Sequence, residues 1–381
     1  MITRIISPEI KKTKKSILLL GPRQAGKSTL IASLRPDLTI NLADELEFLT
    51  HSTRPDELRK IIAAQKPKTI FLDEVQRMPR ILNTIQVIID NNKNLKFYLT
   101  GSSARKLKRG GANLLPGRVL NFKLGALVAA ELNYELDTKK ALSIGSLPES
   151  YLEKSAKNAE RLLSSYVANY LKEEIKAEAL TRNLESFARF FQEAILNVGQ
   201  FVDFTKLAKN AKISRHAIPR YFEILEDTLV GYRLFPFPAL QTPQDLVRHP
   251  KFYLFDNGVY NGMLGNFIPS ADRVGVLAEQ LVFSQIFHSC WAREQEPKIY
   301  SFRTRKGAEV DFILEKAGKT FAIEVKNGEE STMDDCAGLT YFQSVYPKTD
   351  GLFLFHMGKR EKKMGTVWSM PWQKGLKEIG L

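Results

Sequence analysis

The chain has 381 residues, a formal net charge of +14, and 44% hydrophobic and 26% charged residues. This composition is typical of a soluble globular protein, and the length favours two or three domains. Because Cys290 and Cys336 are the only cysteines, a disulfide framework and a Cys-rich zinc site are excluded. The N-terminus lacks the apolar core of a secretion signal and no apolar run could span a membrane, so we expect a cytoplasmic protein with no membrane partner.

The positive charge is concentrated in the first third of the chain. Residues 1–130 contain 23 Lys and Arg against 10 Asp and Glu, whereas the remaining residues contain 33 against 32. No acidic residue lies between Asp90 and Glu131, a window with the bases Lys93, Lys96, Arg105, Lys106, Lys108, Arg109, Arg118 and Lys123. Such a block suits a polyanion. Two interpretations stay open: contact with a nucleic acid, or a solvated face with a few nucleotide contacts.

A phosphate-binding loop follows the first predicted strand. The apolar run Ser16–Leu20 precedes the octapeptide Gly-Pro-Arg-Gln-Ala-Gly-Lys-Ser, and a helical pattern comes next. This is the context in which the pattern GxxxxGK(S/T) binds nucleotide phosphates. The glycines let backbone N–H groups face phosphate oxygens, the lysine reaches the β- and γ-phosphates, and the serine ligates Mg²⁺. The predicted contacts are Gly21, Pro22, Arg23, Gln24, Ala25, Gly26, Lys27, Ser28 and Thr29.

An acidic pair ends the next clear strand pattern. The segment Thr69–Leu72 runs directly into Asp73 and Glu74. Ligands of open parallel sheets bind at the carboxyl edge, so both carboxylates are expected beside the phosphate loop. We predict that Asp73 holds Mg²⁺ through water and that Glu74 is the general base for the attacking water.

Small polar residues and one arginine complete the predicted nucleotide site. The strand pattern 95–99 ends in Thr-Gly-Ser-Ser, where Thr100 or Ser102 positions the lytic water or senses the γ-phosphate. The alternative is an ordinary polar turn. Arg118 is a candidate γ-phosphate sensor or arginine finger, and its alternative is a surface salt bridge. Whether Arg118 acts within its own chain or across a subunit interface stays open.

These motifs resemble those of a family of prokaryotic AAA-type ATPases with an uncharacterised C-terminal domain. The matching stretches are the loop at 21–28, Phe-Leu-Asp-Glu-Val-Gln-Arg-Met-Pro at 71–79, Leu-Thr-Gly-Ser-Ser at 99–103 and Pro-Gly-Arg at 116–118. The resemblance extends to about residue 330. It implies ATP and Mg²⁺ as cofactors, and a regulatory or switch ATPase in preference to a processive motor.

The middle of the chain is predicted to be helical. Residues 131–198 repeat apolar side chains at helical spacing, and the aromatic stripe that includes Phe187 and Phe190 is expected to be core. Residues 199–240 resemble a winged helix-turn-helix, with helices at 204–211 and 215–227 and a wing strand at 229–234. The second helix is expected to expose Arg215, His216, Arg220 and Glu223. Two functions of this module stay open: contact with DNA, or packing against protein.

The last segment carries a charged constellation on strand patterns. Asp311 and Glu324 alternate with apolar residues on two predicted strands, and Lys326 lies on the same strand face as Glu324. With Glu279 on the preceding helix, they resemble the D…ExK core of restriction-endonuclease-like nucleases. The carboxylates of Asp311, Glu324 and Glu279 are expected to hold a divalent metal, and Lys326 to activate water.

Together these patterns predict an α/β protein with four parts. They are a P-loop AAA-type ATPase core at 1–130, a helical lid region at 131–198, a winged-helix-like module at 199–240 and a restriction-endonuclease-like domain at 241–381. The expected function is Mg²⁺-dependent ATP hydrolysis that gates the nuclease-like domain in a DNA transaction. The alternative is a nucleotide-dependent protein-interaction switch whose nuclease fold is catalytically silent. The oligomeric state stays open.

Overall fold

The computed structural model describes residues 2–102, 115–171, 184–238 and 246–381. The chain forms two units, and each is described by itself. The first comprises Met1–Gly125, Asp227–Leu229 and Trp291–Glu294. The second comprises Ala126–Glu226, Val230–Cys290 and Gln295–Leu381.

In the described part of the first unit, five strands form a parallel sheet. They are β1 (Ser16–Leu20), β2 (Leu38–Asn41), β3 (Thr69–Asp73), β4 (Lys96–Gly101) and β5 (Val119–Lys123). Their order is β2-β3-β4-β1-β5, and every neighbouring pair is parallel. β1 is buried along its whole length. A strand that is covered on both faces reads as a continuous apolar run, which explains the Ile-Leu-Leu-Leu sequence.

Helices cover both faces of this sheet. They are α1 (Ser7–Lys12), α2 (Lys27–Ala32), α3 (Glu45–Thr53), α4 (Glu57–Gln65) and α5 (Ile81–Asn91), with a 3₁₀ turn at Val75–Arg77. Leu18 joins the core to which α4 and α5 contribute, whereas Leu19 joins the core to which α1 and α2 contribute. The predicted parallel sheet with flanking helices is confirmed.

Helices form most of the amino-terminal half of the second unit. After a 3₁₀ turn at Ala129–Leu132 they are α6 (Thr138–Ile144), α7 (Pro148–Leu152), α8 (Ala156–Ser165) with a π-helical turn at Tyr166–Leu171, α9 (Leu184–Leu196), α10 (Phe204–Ala211), α11 (Ala217–Asp227), α12 (Asn257–Leu264) and α13 (Val274–Ala292). The predicted aromatic core is confirmed, because Phe187 and Phe190 are buried and the ring of Phe190 lies edge-on to Phe222 at 4.9 Å. Among the described residues, no helix is long and apolar enough to cross a membrane.

α10 and α11 lie where the winged helix-turn-helix was predicted. The carboxylate of Asp203 caps α10 by accepting backbone N–H groups of its first turn, and Lys212 ends it in a left-handed conformation with φ 53°. α11 begins two residues later than predicted. The predicted wing strand, β6 (Gly231–Leu234), pairs antiparallel with β7 (Lys251–Leu254).

A mixed sheet forms the carboxyl-terminal half of the second unit. Its described strands are β8 (Lys298–Arg303), β9 (Glu309–Lys316), β10 (Lys319–Lys326), β11 (Gly351–His356), β12 (Lys362–Met364) and β13 (Val367–Pro371), in the order β12-β13-β11-β10-β9-β8. β8, β9 and β10 form an antiparallel meander, and β11 is parallel to β10. Two helices, α14 (Ala337–Val345) and α15 (Trp372–Glu378), complete this half. On one face α14 packs against β9, β10 and β11. On the other, Phe283 of α13 lies near Phe312 at 6.2 Å between ring centroids.

Candidate functional site

The phosphate loop connects the buried end of β1 to α2. Gly26 takes a left-handed conformation with φ 89°, which favours glycine. At Gly21, a Cβ would lie 2.1 Å from the carbonyl oxygen of Leu124, so only glycine fits there. Of the other predicted contacts, Pro22 and Ala25 are buried, Ser28 is half-buried, and the side chains of Arg23, Gln24 and Thr29 are exposed.

Lys27 folds back over the loop that precedes it. Its side chain is buried, and the ammonium donates hydrogen bonds to the carbonyl oxygens of Gly21 and Pro22, each at 3.0 Å. The positive charge is therefore held at the start of the loop, beside the backbone groups that would surround a phosphate.

Arg4 braces the same loop, and sequence reasoning did not identify it. Its guanidinium donates to the carbonyl oxygen of Ala25 at 2.7 Å and to that of Gly125 at 2.9 Å, and the residue is buried. Arg4 thus ties the phosphate loop to the segment that follows β5. An isolated arginine near the N-terminus, outside any motif, gives no signal for this role.

The acidic pair lies where β3 ends. Asp73 is buried, and its Oδ1 accepts hydrogen bonds from the Thr100 hydroxyl and from the backbone N–H of Glu74, the latter at 3.1 Å. Glu74 turns away from the strand with φ 57°. Thr100 therefore orients the acidic pair, while Ser102 is buried at the end of β4.

Gln76 is a second residue that the sequence analysis missed. Its side-chain amide donates to a carboxylate oxygen of Glu74, which fixes the position of the predicted general base. The amide oxygen of Gln76 has no hydrogen-bond partner among the described residues, and it lies next to Gly101, where an added Cβ would approach it to 2.9 Å.

The sheet order brings the loop and the acidic pair to one edge. β4 lies between β1 and β3, so its polar end stands between the two motifs. The backbone N–H of Gly21 donates to the carbonyl oxygen of Gly101 at 3.3 Å, and α2 packs against both β3 and β4. The predicted grouping of Lys27, Asp73, Glu74 and Thr100 at the carboxyl edge of the sheet therefore agrees with the fold.

The structure does not bring Arg118 to this edge. Arg118 immediately precedes β5, and Val119 lies beside Ser16, the first residue of β1. The strands are parallel, so about 20 Å of extended chain separates Arg118 from the phosphate loop. Its guanidinium forms a two-pronged salt bridge with Asp90, at 2.7 and 2.9 Å. Of the alternatives left open for Arg118, this placement favours the surface salt bridge over a γ-phosphate contact within one chain, and contact across a subunit interface stays a prediction.

Among the described bases of the window, Lys93 is exposed, whereas Lys96 and Lys123 have specific partners. The Lys96 ammonium donates to the carbonyl oxygens of Ile10 and Thr13 at 3.1 and 2.7 Å, and burial lowers its pKa. Lys123 lies over the ring of Trp291 at 5.4 Å. Arg105, Lys106, Lys108 and Arg109 lie outside the described residues. Nucleic-acid contact by this window stays a prediction.

A charged cluster in the second unit includes the four predicted residues. Asp311 comes from β9, Glu324 and Lys326 from β10, and Glu279 from α13. The Lys326 ammonium pairs with Glu324 at 3.0 Å, and the backbone N–H of Val325 donates to Asp311 Oδ2 at 2.9 Å. Sequence reasoning thus grouped residues that lie on adjacent elements of one fold.

Two further members of this cluster were missed. Lys251 of β7 is buried, and its ammonium lies 2.8 Å from Glu279, 2.8 Å from Glu309 and 3.1 Å from Asp311. The Tyr253 hydroxyl donates to Glu279. Because β7 precedes α13 and carries no acidic motif, no sequence pattern connects it with this site.

Burial controls the protonation of the cluster. Burial and the charge of Asp311 raise the pKa of Glu279 to about 7 and that of Glu324 well above its usual value. Burial alone would lower the pKa of Lys251, but its anionic neighbours outweigh that effect and hold the pKa well above the usual range. Lys251 therefore stays charged.

The predicted metal centre does not match this geometry. Over the described ranges, no three Asp, Glu, His or Cys side chains are arranged to hold a metal ion. The ligand set Glu279, Asp311 and Glu324 is thus corrected: an ammonium, not open space, faces the first two carboxylates.

The residues expected on a recognition helix lie on α11 and in the two positions that precede it. Arg215, His216, Arg220 and Glu223 are all exposed, and Tyr221 and Phe222 are buried. This exposure is compatible with either interpretation of the module, DNA contact or protein packing.

The fold and the first site define a P-loop nucleotide-binding domain. Comparison with known families agrees, because residues 13–133 match the model described as an AAA domain. This part of the chain is similar to AAA domains. Residues 135–269 and 274–374 match two families described as domains of unknown function, DUF8612 and DUF4143. The endonuclease-like interpretation of residues 241–381 stays a prediction.

Relatives and solved structures add little about function. Uncharacterized proteins of Mycobacterium tuberculosis and Mycobacterium bovis are each 24% identical over 318 residues, which covers 81% of this chain and 70% of theirs. A replication initiator DnaA bound to AMPPCP and single-stranded DNA has 13% identity, a TM-score of 0.29 and coverage of 58% of this chain and 86% of its own. A structure of Pif1 helicases on forked DNA has 13% identity, a TM-score of 0.26 and coverage of 43% and 51%. Similarities this low have no bearing on function.

Proposed function

We propose that the first unit binds ATP with Mg²⁺ and hydrolyses it. The observation that carries this proposal is the shared sheet edge. The phosphate loop is joined to the end of β4 by the hydrogen bond from Gly21 to Gly101, and Thr100, on the same strand end, binds the carboxylate of Asp73. This shared edge supports a site in which a cation, backbone N–H groups and two carboxylates act together, as phosphoryl transfer to water requires.

Each side chain has a definable task at this edge. The Lys27 ammonium is held by two neutral carbonyl oxygens, and anionic phosphate oxygens would form stronger hydrogen bonds with it. Glu74, oriented by Gln76, accepts the proton of the attacking water. The Thr100 hydroxyl donates to the Asp73 carboxylate and so fixes its orientation.

The residues present fit Mg²⁺ at this edge. Mg²⁺ prefers a few hard oxygen ligands and retains water. The Ser28 hydroxyl and the Asp73 carboxylate are such donors, and α2, which carries Ser28, packs against β3, which ends in Asp73. When bound, Mg²⁺ neutralises charge on the phosphates.

Two substitutions test the proposal. Lys27→Ala should abolish ATP binding in a calorimetric titration, because it removes the cation of the loop. Glu74→Gln should bind ATP with near wild-type affinity but lose turnover, by a factor of about 10²–10⁴. Lys14→Ala and Glu9→Gln change exposed residues of the same unit and should leave both quantities unchanged. Turnover at the wild-type rate in either site variant would refute the assignment.

We further propose that nucleotide state controls the second unit in a DNA transaction. The support is the excess of Lys and Arg in residues 1–130 and the exposed Arg215 and Arg220, just before and within α11. Fluorescence anisotropy of labelled DNA, with ATP, with ADP and without nucleotide, tests this proposal. DNA affinity should depend on the nucleotide and fall in the double variant Arg215→Ala, Arg220→Ala. Equal affinity in all three states would exclude nucleotide control of DNA binding.

A second candidate is a nucleotide-dependent protein-interaction switch with a silent nuclease fold. The buried ammonium of Lys251 among the predicted metal ligands favours it. Incubation of wild type, Asp311→Ala and Lys326→Ala with DNA and RNA in Mg²⁺ or Mn²⁺ separates the candidates. Cleavage that both substitutions abolish supports the nuclease. Absence of cleavage, or equal cleavage by all three proteins, supports the switch.

A further inference from the structure

Lys251 occupies the centre of the carboxylate cluster in the second unit. Its side chain is only 3% exposed. The ammonium lies within 3.1 Å of one oxygen each from Glu279, Glu309 and Asp311. An ammonium has three N–H donors, so these three acceptors satisfy it completely. The aromatic ring of Phe201 lies 5.3 Å away and adds a further favourable contact for the cation.

This arrangement is incompatible with a divalent ion at the same carboxylates. Mg²⁺ needs oxygen ligands at about 2.0–2.1 Å in near-octahedral geometry. An ion on the oxygens of Glu279 and Asp311 would lie within a few ångströms of the buried ammonium, where like charges repel strongly. The lysine and a metal ion therefore exclude each other.

Three further oxygens of the cluster are also engaged. Asp311 Oδ2 accepts from the Val325 N–H, Glu324 Oε1 pairs with Lys326, and Glu309 Oε2 lies 3.5 Å from Arg303. Glu324 Oε2 is buried without a hydrogen-bond partner among the described residues. No three carboxylates of the described cluster are arranged to hold a metal ion.

We propose that Lys251 is the resident cation of this site and takes the place of the divalent metal, so that the second unit binds no catalytic metal there. The carboxylates then serve to fix β7, α13 and β9 to one another through the lysine. This inference does not depend on ATP hydrolysis in the first unit. It attributes the absence of a metal site at these carboxylates to one side chain, that of Lys251.

Metal binding by the nucleotide-free full chain tests the proposal. Without nucleotide, the phosphate loop lacks the oxygens that complete its own metal site, so Mn²⁺ detected by electron paramagnetic resonance reports on the carboxylate cluster. The wild-type protein should bind no stoichiometric Mn²⁺ at millimolar concentration, and Mn²⁺ should leave its Tm unchanged. Stoichiometric binding that Asp311→Asn abolishes would overturn the proposal.

Lys251→Met provides the converse measurement. Methionine keeps the aliphatic length of the side chain and leaves three carboxylates uncompensated, so its Tm should fall. Mn²⁺ at about ten times its Kd should then raise the Tm of this variant by about 3–6 °C. A folded Lys251→Met protein that gains no Mn²⁺ site would also overturn the proposal. If Lys251→Met does not fold, the double variant Lys251→Met, Glu279→Gln replaces it, because it carries one buried charge less. The comparison of Mn²⁺ binding between wild type and Asp311→Asn tests the proposal in either case.

Discussion

Replacing Arg4 by methionine should loosen the phosphate loop without altering any residue of the loop itself. Arg4 donates one hydrogen bond to Ala25, inside the loop, and one to Gly125, behind it. Methionine retains most of the aliphatic packing of the side chain and removes both donors. The substitution therefore separates the brace from the phosphate-binding groups.

The size of the effect follows from the two carbonyl oxygens that lose their donor. Arg4 is only 7% exposed, so water replaces the guanidinium poorly. A buried acceptor without a partner costs about 1–3 kcal/mol, so for two acceptors the free energy of unfolding should fall by about 2–6 kcal/mol in total. The part of this free-energy loss that comes from the carbonyl oxygen of Ala25 also destabilises the phosphate loop, which precedes Lys27. If that part is about 1.4 kcal/mol, the Kd for ATP rises about tenfold.

Chemical unfolding and calorimetric ATP titration measure the two effects separately. Arg59→Met is the matched control, because its guanidinium is 51% exposed on α4 and lies away from the loop. An Arg4→Met protein with reduced stability and wild-type ATP affinity would show that Arg4 supports the fold alone. Wild-type values for both quantities would refute the importance of the two hydrogen bonds.

Two predictions concern the second unit. Gly145→Ala should lower the free energy of unfolding by about 3 kcal/mol or more, because φ is +69° and the added Cβ would lie 2.0 Å from a carboxylate oxygen of the buried Asp256. Gly265→Ala is the control, since its φ is +63° with open space around it, and urea unfolding should show a loss of only about 1 kcal/mol. Burial raises the pKa of Glu279 from 4.5 to about 7, so the folded state binds more protons in this interval and stability should fall as pH rises through it, by about 3 kcal/mol. Glu279→Gln should reduce this slope in unfolding curves measured between pH 4.5 and 7, while Asp256 and Glu324, whose pKa values burial also raises, keep their own contributions. An unchanged slope would contradict the assignment.

The sheet edge of the first unit was predictable because strand direction alone determines it. Asp73 ends one parallel strand and Thr100 lies near the end of another, so both had to lie at the carboxyl edge with the phosphate loop. Arg118 was misplaced because the segment Val119–Lys123 was not predicted as a strand. Once β5 is recognised, strand direction also places Arg118: a residue that immediately precedes a parallel strand lies at the amino edge of the sheet.

Arg4 and Lys251 could not be predicted from the sequence, for a different physical reason. Arg4 binds a carbonyl oxygen 121 residues away, and Lys251 binds a carboxylate 60 residues away. No spacing rule connects such pairs, because the tertiary fold alone brings them together. Arg4 touches backbone atoms that every residue type has, so no matching partner appears in the sequence.

The C-terminal cluster shows what a motif of charged residues leaves undetermined. The pattern of Asp311, Glu324 and Lys326 identifies a set of carboxylates on adjacent strands, and the structure confirms that they lie on adjacent strands. A set of buried carboxylates needs a counter-cation, but a metal ion and a lysine satisfy that need equally well. The choice depends on a residue of β7 that contributes nothing to the motif. Asp311 can therefore have the same neighbours along the chain in a nuclease and in a silent fold, and the side chain at position 251 distinguishes the two.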